Sequence, residues 1–165
     1  MSYRGSNYDP ALLTKDIAAR VRAHCKKHWP GVKFSVTSNH SHITIVLLAG
    51  PFSPWADITA PVVAQEIAFR KAENPYFDPE AIIRRGDMQI NHYGINENIL
   101  LSKTAKAIFT DVRDFVMAYN YDNSDIQTDY FDTRFYLSLE LGRYDRPFVQ
   151  TGNSMANTSE IREAA

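Results

Sequence analysis

The chain has 165 residues, 44% of them hydrophobic and 22% charged, with a net charge of −1. That is the size and balance of one globular domain that can bury its own core. Cys25 is the lone cysteine, which excludes an internal disulfide framework. No apolar run reaches the roughly 18 residues of a membrane span.

A lone thiol fits a reducing compartment, and Met1 to Ser6 lacks the apolar core of a signal peptide. The expected location is therefore the cytoplasm, with no membrane partner. Charge is uneven along the chain: residues 1–33 carry seven Lys/Arg against two Asp, and residues 111–145 carry eight Asp/Glu against three Arg. Two binding faces are one reading of this asymmetry, and mutual attraction of the two segments in the fold is the other.

Asp9-Pro10 reads as a helix start. Leu13, Ile17, Val21 and Cys25 recur at helical spacing, predicting an amphipathic helix of about 18 residues that Pro30-Gly31 ends. Val32, Phe34 and Val36, then Ile43, Ile45 and Leu47, alternate around the polar turn Ser38 to Ser41, which predicts a β-hairpin. Two prolines make residues 50–55 a loop. A second helix is expected from Ala60 to Glu73, stopped by Asn74-Pro75. Residues 79–85 add a helical turn before Gly86, and Met88 to Tyr93 reads as a strand.

The clearest helix follows Ser102 as its cap, with Ala105, Ile108, Phe109, Val112, Phe115, Val116 and Tyr119 on one face. Its Phe109, Val112 and Val116 are expected on the sheet. A polar loop from Asn120 leads to a last strand with Phe135, Leu137, Leu139 and Leu141 on one face, closed by Gly142. Residues 1–149 are then one domain, and 150–165 read as a flexible tail. The order predicts an α+β two-layer sandwich, with a mostly antiparallel sheet of about four strands covered by amphipathic helices.

Several constellations can carry chemistry. His24 and His28 stand at metal-ligand spacing beside Cys25. A cation also suits a helix C-terminus, and packing or capping is the preferred reading. His40 and His42 flank the hairpin tip, where they can meet a ligand. Residues 122–132 hold four aspartates. Such a loop can bind a hard cation, but Ile126 stands where an EF-hand needs an oxygen ligand, and Gly and a distal Glu are missing.

The loop's aspartates also suit turn closure or pairing with the basic first helix. Tyr121, Asp122, Ser124, Asp125, Asp129, Tyr130 and Asp132, with the two hairpin histidines, form the candidate binding set. Asp129, Tyr130 and Phe131 are expected to anchor the approach to the last strand. Arg20, Arg22, Lys26 and Lys27 form a nucleic-acid alternative. No P-loop, nucleophile elbow, GxGxxG or paired CxxC is present. No catalytic residue, cofactor or metal is expected.

Two segments carry a family resemblance: Pro30-Gly31-Val32-Lys33-Phe34-Ser35-Val36, and Tyr119-Asn120-Tyr121-Asp122-Asn123-Ser124-Asp125 leading to Thr128-Asp129-Tyr130-Phe131-Asp132. Together they resemble a large polyvalent protein-associated domain family of phages, plasmids and conjugative elements. The resemblance covers roughly residues 10–148. It implies an accessory piece delivered with, or encoded by, a mobile element, and it supplies no catalytic residues. A free-standing copy is expected to act by binding. The leading expectation is a non-enzymatic interaction protein that modulates a host or defence protein. The alternatives are a nucleic-acid-binding accessory module and an enzyme using the Asp-rich loop.

Overall fold

A computed structural model describes residues 2–152. The elements run β1 (Tyr3–Arg4), α1 (Thr14–His28), β2 (Lys33–Ser38), β3 (His42–Gly50), α2 (Pro61–Glu73), α3 (Pro79–Arg85), β4 (Met88–Ile90), α4 (Lys103–Met117), β5 (Tyr121–Asp122), a 3-10 turn at Ile126–Thr128, β6 (Tyr136–Leu141) and β7 (Val149–Gln150). The fold is α+β, as the sequence predicts.

Most boundaries follow local chemistry. Ser102 caps α4 by accepting the Ala105 amide at 3.2 Å. Asp78 caps α3 in the same way through Ala81, at 3.0 Å. Gly86 closes α3 in the left-handed region at φ 79°. The first helix differs from expectation. Asp9 accepts the Ala11 amide at 2.9 Å, closing a separate turn around Pro10. Leu13 is extended, and Asp16 reaches back to its amide at 2.9 Å, so α1 begins only at Thr14.

The sheet is not purely antiparallel: it includes parallel pairs that the alternation of the strands does not reveal. Its order is β2-β3-β6-β4, with β7 added beside β3. The β2–β3 and β4–β6 pairs are antiparallel, whereas β3 pairs in parallel with β6 and with β7. The physical reason is the path of α4. This helix returns the chain across the sheet, so β6 lines up with β3 from the same end. Val149 and Gln150 are still paired to β3, at the position where the sequence expects its tail to begin. Residues 153–165, where the rest of that tail falls, lie outside the described residues.

Ile17, Val21 and Cys25 of α1, and Ile108, Phe109, Val112 and Val116 of α4, bury themselves with Val36, Ile43, Ile45, Leu47, Leu137 and Leu139 in one core. Val46 and Leu48, on the opposite face of β3, are buried as well. A strand covered on both faces reads as a nearly continuous apolar run, and Ile43 to Ala49 is one. By contrast, α2 buries Ile67 and leaves Val62 and Phe69 exposed.

Candidate functional site

The acidic segment leaves α4 through Asn120 and is built as a closed loop. Asn120 is buried, and its carboxamide accepts the Tyr121 amide at 2.9 Å and grips the backbone of Phe135 on the returning limb. Further up, Asn123 donates to the Asp132 carbonyl at 2.7 Å, and Asp125 and Tyr130 exchange backbone bonds at 2.7 and 2.9 Å. The loop is therefore a small ladder.

Three of its four carboxylates serve that ladder. Asp122 accepts the Ser124 amide at 2.9 Å. The Ser124 hydroxyl, followed by that amide, holds the Asp122 carboxyl below the usual aspartate range. Asp125 caps the 3-10 turn by accepting the Gln127 amide at 3.0 Å. The Tyr121 hydroxyl donates to Asp132. That bond, reinforced by desolvation and the negative charge of Asp132, pushes the Tyr121 phenol up to about 12.

The structure also supplies residues that sequence reasoning missed. The N-terminal β1 pairs antiparallel with β5, setting Tyr3 opposite Asp122 and Arg4 opposite Tyr121. Tyr8 meets the Tyr121 ring edge-on at 5.0 Å, and the Arg4 guanidinium lies 5.0 Å from the Tyr8 ring centre. Tyr3, Arg4, Tyr8, Tyr121, Asn123 and Asp132 help to line a hollow of about 360 Å³. A two-residue strand leaves no periodicity to find; the Tyr3, Arg4 and Tyr8 side chains were the available signal.

Asp129, Tyr130 and Phe131 do not anchor the last strand through their side chains, contrary to expectation. All three are exposed, Tyr130 at 54% and Phe131 at 65%, and Ile126 beside them is 81% exposed. Asp129 instead takes the left-handed conformation that closes the 3-10 turn, with φ 54°. The anchoring is done by Asn120 and buried Phe135. The loop thus presents three apolar side chains on a hydrogen-bonded frame.

His40 and His42 sit at the same end of the sheet. His42 pairs with Tyr136, and their rings lie 5.2 Å apart. Asn39 orders this hairpin tip by accepting the Ser41 and His42 amides at 3.0 and 2.9 Å. The four cations of the nucleic-acid alternative do not form one face. Arg20 stacks on Tyr119, 5.4 Å from the ring centre, and Arg22 donates twice to the Val36 carbonyl, at 3.2 and 2.6 Å. All four are exposed, but only the two arginines have these partners within the chain.

His24 is engaged in packing. Its Nε2 lies 2.7 Å from Asp111, whose same oxygen accepts the Trp29 indole N–H at 2.8 Å. The His24 ring stacks on Phe115 at 4.0 Å. Burial pushes the neighbouring Cys25 thiol up to about 12. Among the described residues, no three His, Cys, Asp or Glu side chains gather as a metal-ligand set, and no helix is long and apolar enough to cross a membrane.

The family model described as large polyvalent protein associated domain 29 matches residues 12–104. No curated protein and no solved structure matches the chain.

Proposed function

This chain belongs to the large polyvalent protein associated domain 29 family, and from that premise we propose that it is a non-enzymatic interaction protein of a phage or other mobile element. It acts in the host cytoplasm by binding a host or element-encoded protein, for example a component of a defence system. The family fits a mobile-element associated protein. The observation that carries the interaction reading is the acidic loop. It exposes Ile126, Tyr130 and Phe131 while its backbone is bonded from Asn120 to Phe135. Apolar and aromatic side chains held in one shape lose little freedom on docking, which favours interface hot spots. Asp125 and Asp129 give the same surface a negative rim, suited to a basic partner.

Arg20 and Arg22 are exposed, yet each already holds a partner within the chain, the Tyr119 ring and the Val36 carbonyl, which favours a protein partner over duplex nucleic acid. A backbone-binding helix would keep those guanidinium groups free for phosphates. The test is affinity capture from host lysate with the wild-type chain and an Ile126→Ser, Phe131→Ser double variant. The expected result is one protein captured stoichiometrically by the wild type and lost with the variant, at equal melting temperature. Capture indifferent to the loop would overturn this assignment.

A further inference from the structure

Away from the acidic loop, β2 forms an edge of the main sheet and pairs with β3 alone. In an antiparallel hairpin, alternate residues aim their backbone groups at the partner and away from it. The Asn39 amide bonds to the His42 carbonyl at 3.0 Å, which sets that phase. Ser35 and Thr37 therefore pair inward, and Ser38, Val36 and Phe34 turn their N–H and C=O groups outward, Phe34 being the last residue of the regular ladder before the register shift between Lys33 and Phe34. Arg22 occupies the Val36 carbonyl. Beside Phe34, α1 and β2 enclose a groove of about 490 Å³, lined in part by Arg22, Lys26, Trp29, Val32, Lys33 and Phe34.

The groove combines an apolar lining with positive charge that the fold does not neutralise. Trp29 is buried and fixed by Asp111. Lys26 and Lys33 are exposed, and neither has a carboxylate within ion-pair distance among the described residues. We propose that this groove takes an extended acidic segment of a partner protein, added as a strand along the outer edge of β2. This rests on the reading that the chain works by binding proteins, and it places a second contact on a face separate from the acidic loop. Charge complementarity selects the acidic side chains. The outward N–H and C=O of Phe34 select a backbone that both donates and accepts, as strand addition requires. A phosphate chain offers acceptors only and would leave the Phe34 carbonyl unpaired.

The test is anisotropy of a short labelled peptide alternating Glu with Val, titrated with the full chain. Binding is expected, and a Lys26→Glu, Lys33→Glu double variant should weaken it by about tenfold or more. N-methylation of alternate peptide amides, which blocks strand pairing and leaves the charge intact, should weaken it comparably. The Ile126→Ser, Phe131→Ser loop variant should bind the peptide as the wild type does, so failure here and failure of the loop assignment are separable. Peptide binding indifferent to both lysines, or a single-stranded oligonucleotide of equal charge binding more tightly than the peptide, would overturn the proposal. Self-association in sedimentation that disappears with the lysine variant would also overturn it, because the occupant would then be a second copy of this chain.

Discussion

Asn120 holds Phe135 by both of its backbone groups, Nδ2 donating to the carbonyl at 2.9 Å and Oδ1 accepting the amide at 3.2 Å. One side chain thus imitates the neighbouring strand that Phe135 lacks, at the point where the loop closes. Asn120→Ala leaves the buried Phe135 amide without its acceptor and the Phe135 carbonyl with only the Thr133 hydroxyl at 3.3 Å, and is expected to cost about 1–3 kcal/mol. Asn120→Asp removes the donor to Phe135 and should also destabilise. Urea titration measures both. A loss under about 0.5 kcal/mol for the alanine variant would show that the loop does not depend on this clasp.

Phe109 is fully buried in the core that α1 and α4 share with the sheet, whereas Phe69 on α2 is 60% exposed. Phe109→Ala is expected to cost about 3–5 kcal/mol, through lost burial and the cavity left behind. Phe69→Ala should change stability by less than about 0.5 kcal/mol. Comparable losses at the two positions in denaturant titration would contradict the placement of α4.

Tyr121 supplies a pH signature. Its folded phenol is raised to about 12 by the bond to Asp132, so the stability it contributes is fully present below the ordinary tyrosine value of about 10. That contribution is lost as the pH rises through the folded value. Asp122 works in the opposite sense. Its carboxyl is lowered, so its contribution is present above the ordinary aspartate value and disappears as the pH falls through the folded one. Phenolate absorbance, with Tyr121→Phe as the subtraction, should place Tyr121 as a late-titrating phenol. Asp132→Asn should move it down towards the ordinary value.

Asp129 closes its turn with a positive φ of 54°. The cost of removing it should therefore depend on backbone preference, since its side chain is exposed. Asp129→Gly and Asp129→Asn are expected to stay within about 0.5 kcal/mol of the wild type. A β-branched Asp129→Val should cost about 1–2 kcal/mol. Equal thermal stabilities for the glycine and valine variants would refute the left-handed assignment.

The long elements were legible in the sequence because one face of each is apolar at a regular period. Ile108, Phe109, Val112 and Val116 mark α4, and Pro61 and Gly86 punctuate α2 and α3. Strand direction was not legible. Leu137, Leu139 and Leu141 alternate identically whether β6 runs with β3 or against it. At the candidate site, the tyrosines and aspartates are visible as a cluster, but the sequence reads Asp129 as an anchor for the last strand, whereas its side chain is exposed. Composition records that an aspartate is present, whereas its place in αL depends on the turn built around it. The partnership of β5 with β1 was invisible because two-residue strands carry no period, and the pairing joins residues more than a hundred positions apart.

The parallel pairing of β3 with β6 also bears on how the molecule assembles. His42 waits for Tyr136, about 90 residues later, before the two strands can zip together. Closing so long a loop is entropically slow, while α1 and the β2–β3 hairpin need only local encounters. The strand that arrives late is also the one inserted between β3 and β4. The segment matched by the family model ends at residue 104 and so contains both flanking strands without the one that joins them. A chain truncated there would leave β3 and β4 without their shared neighbour and α4 cut at its first turn. A chain ending at residue 104 is therefore expected to show no cooperative melting, whereas one reaching Leu141 should.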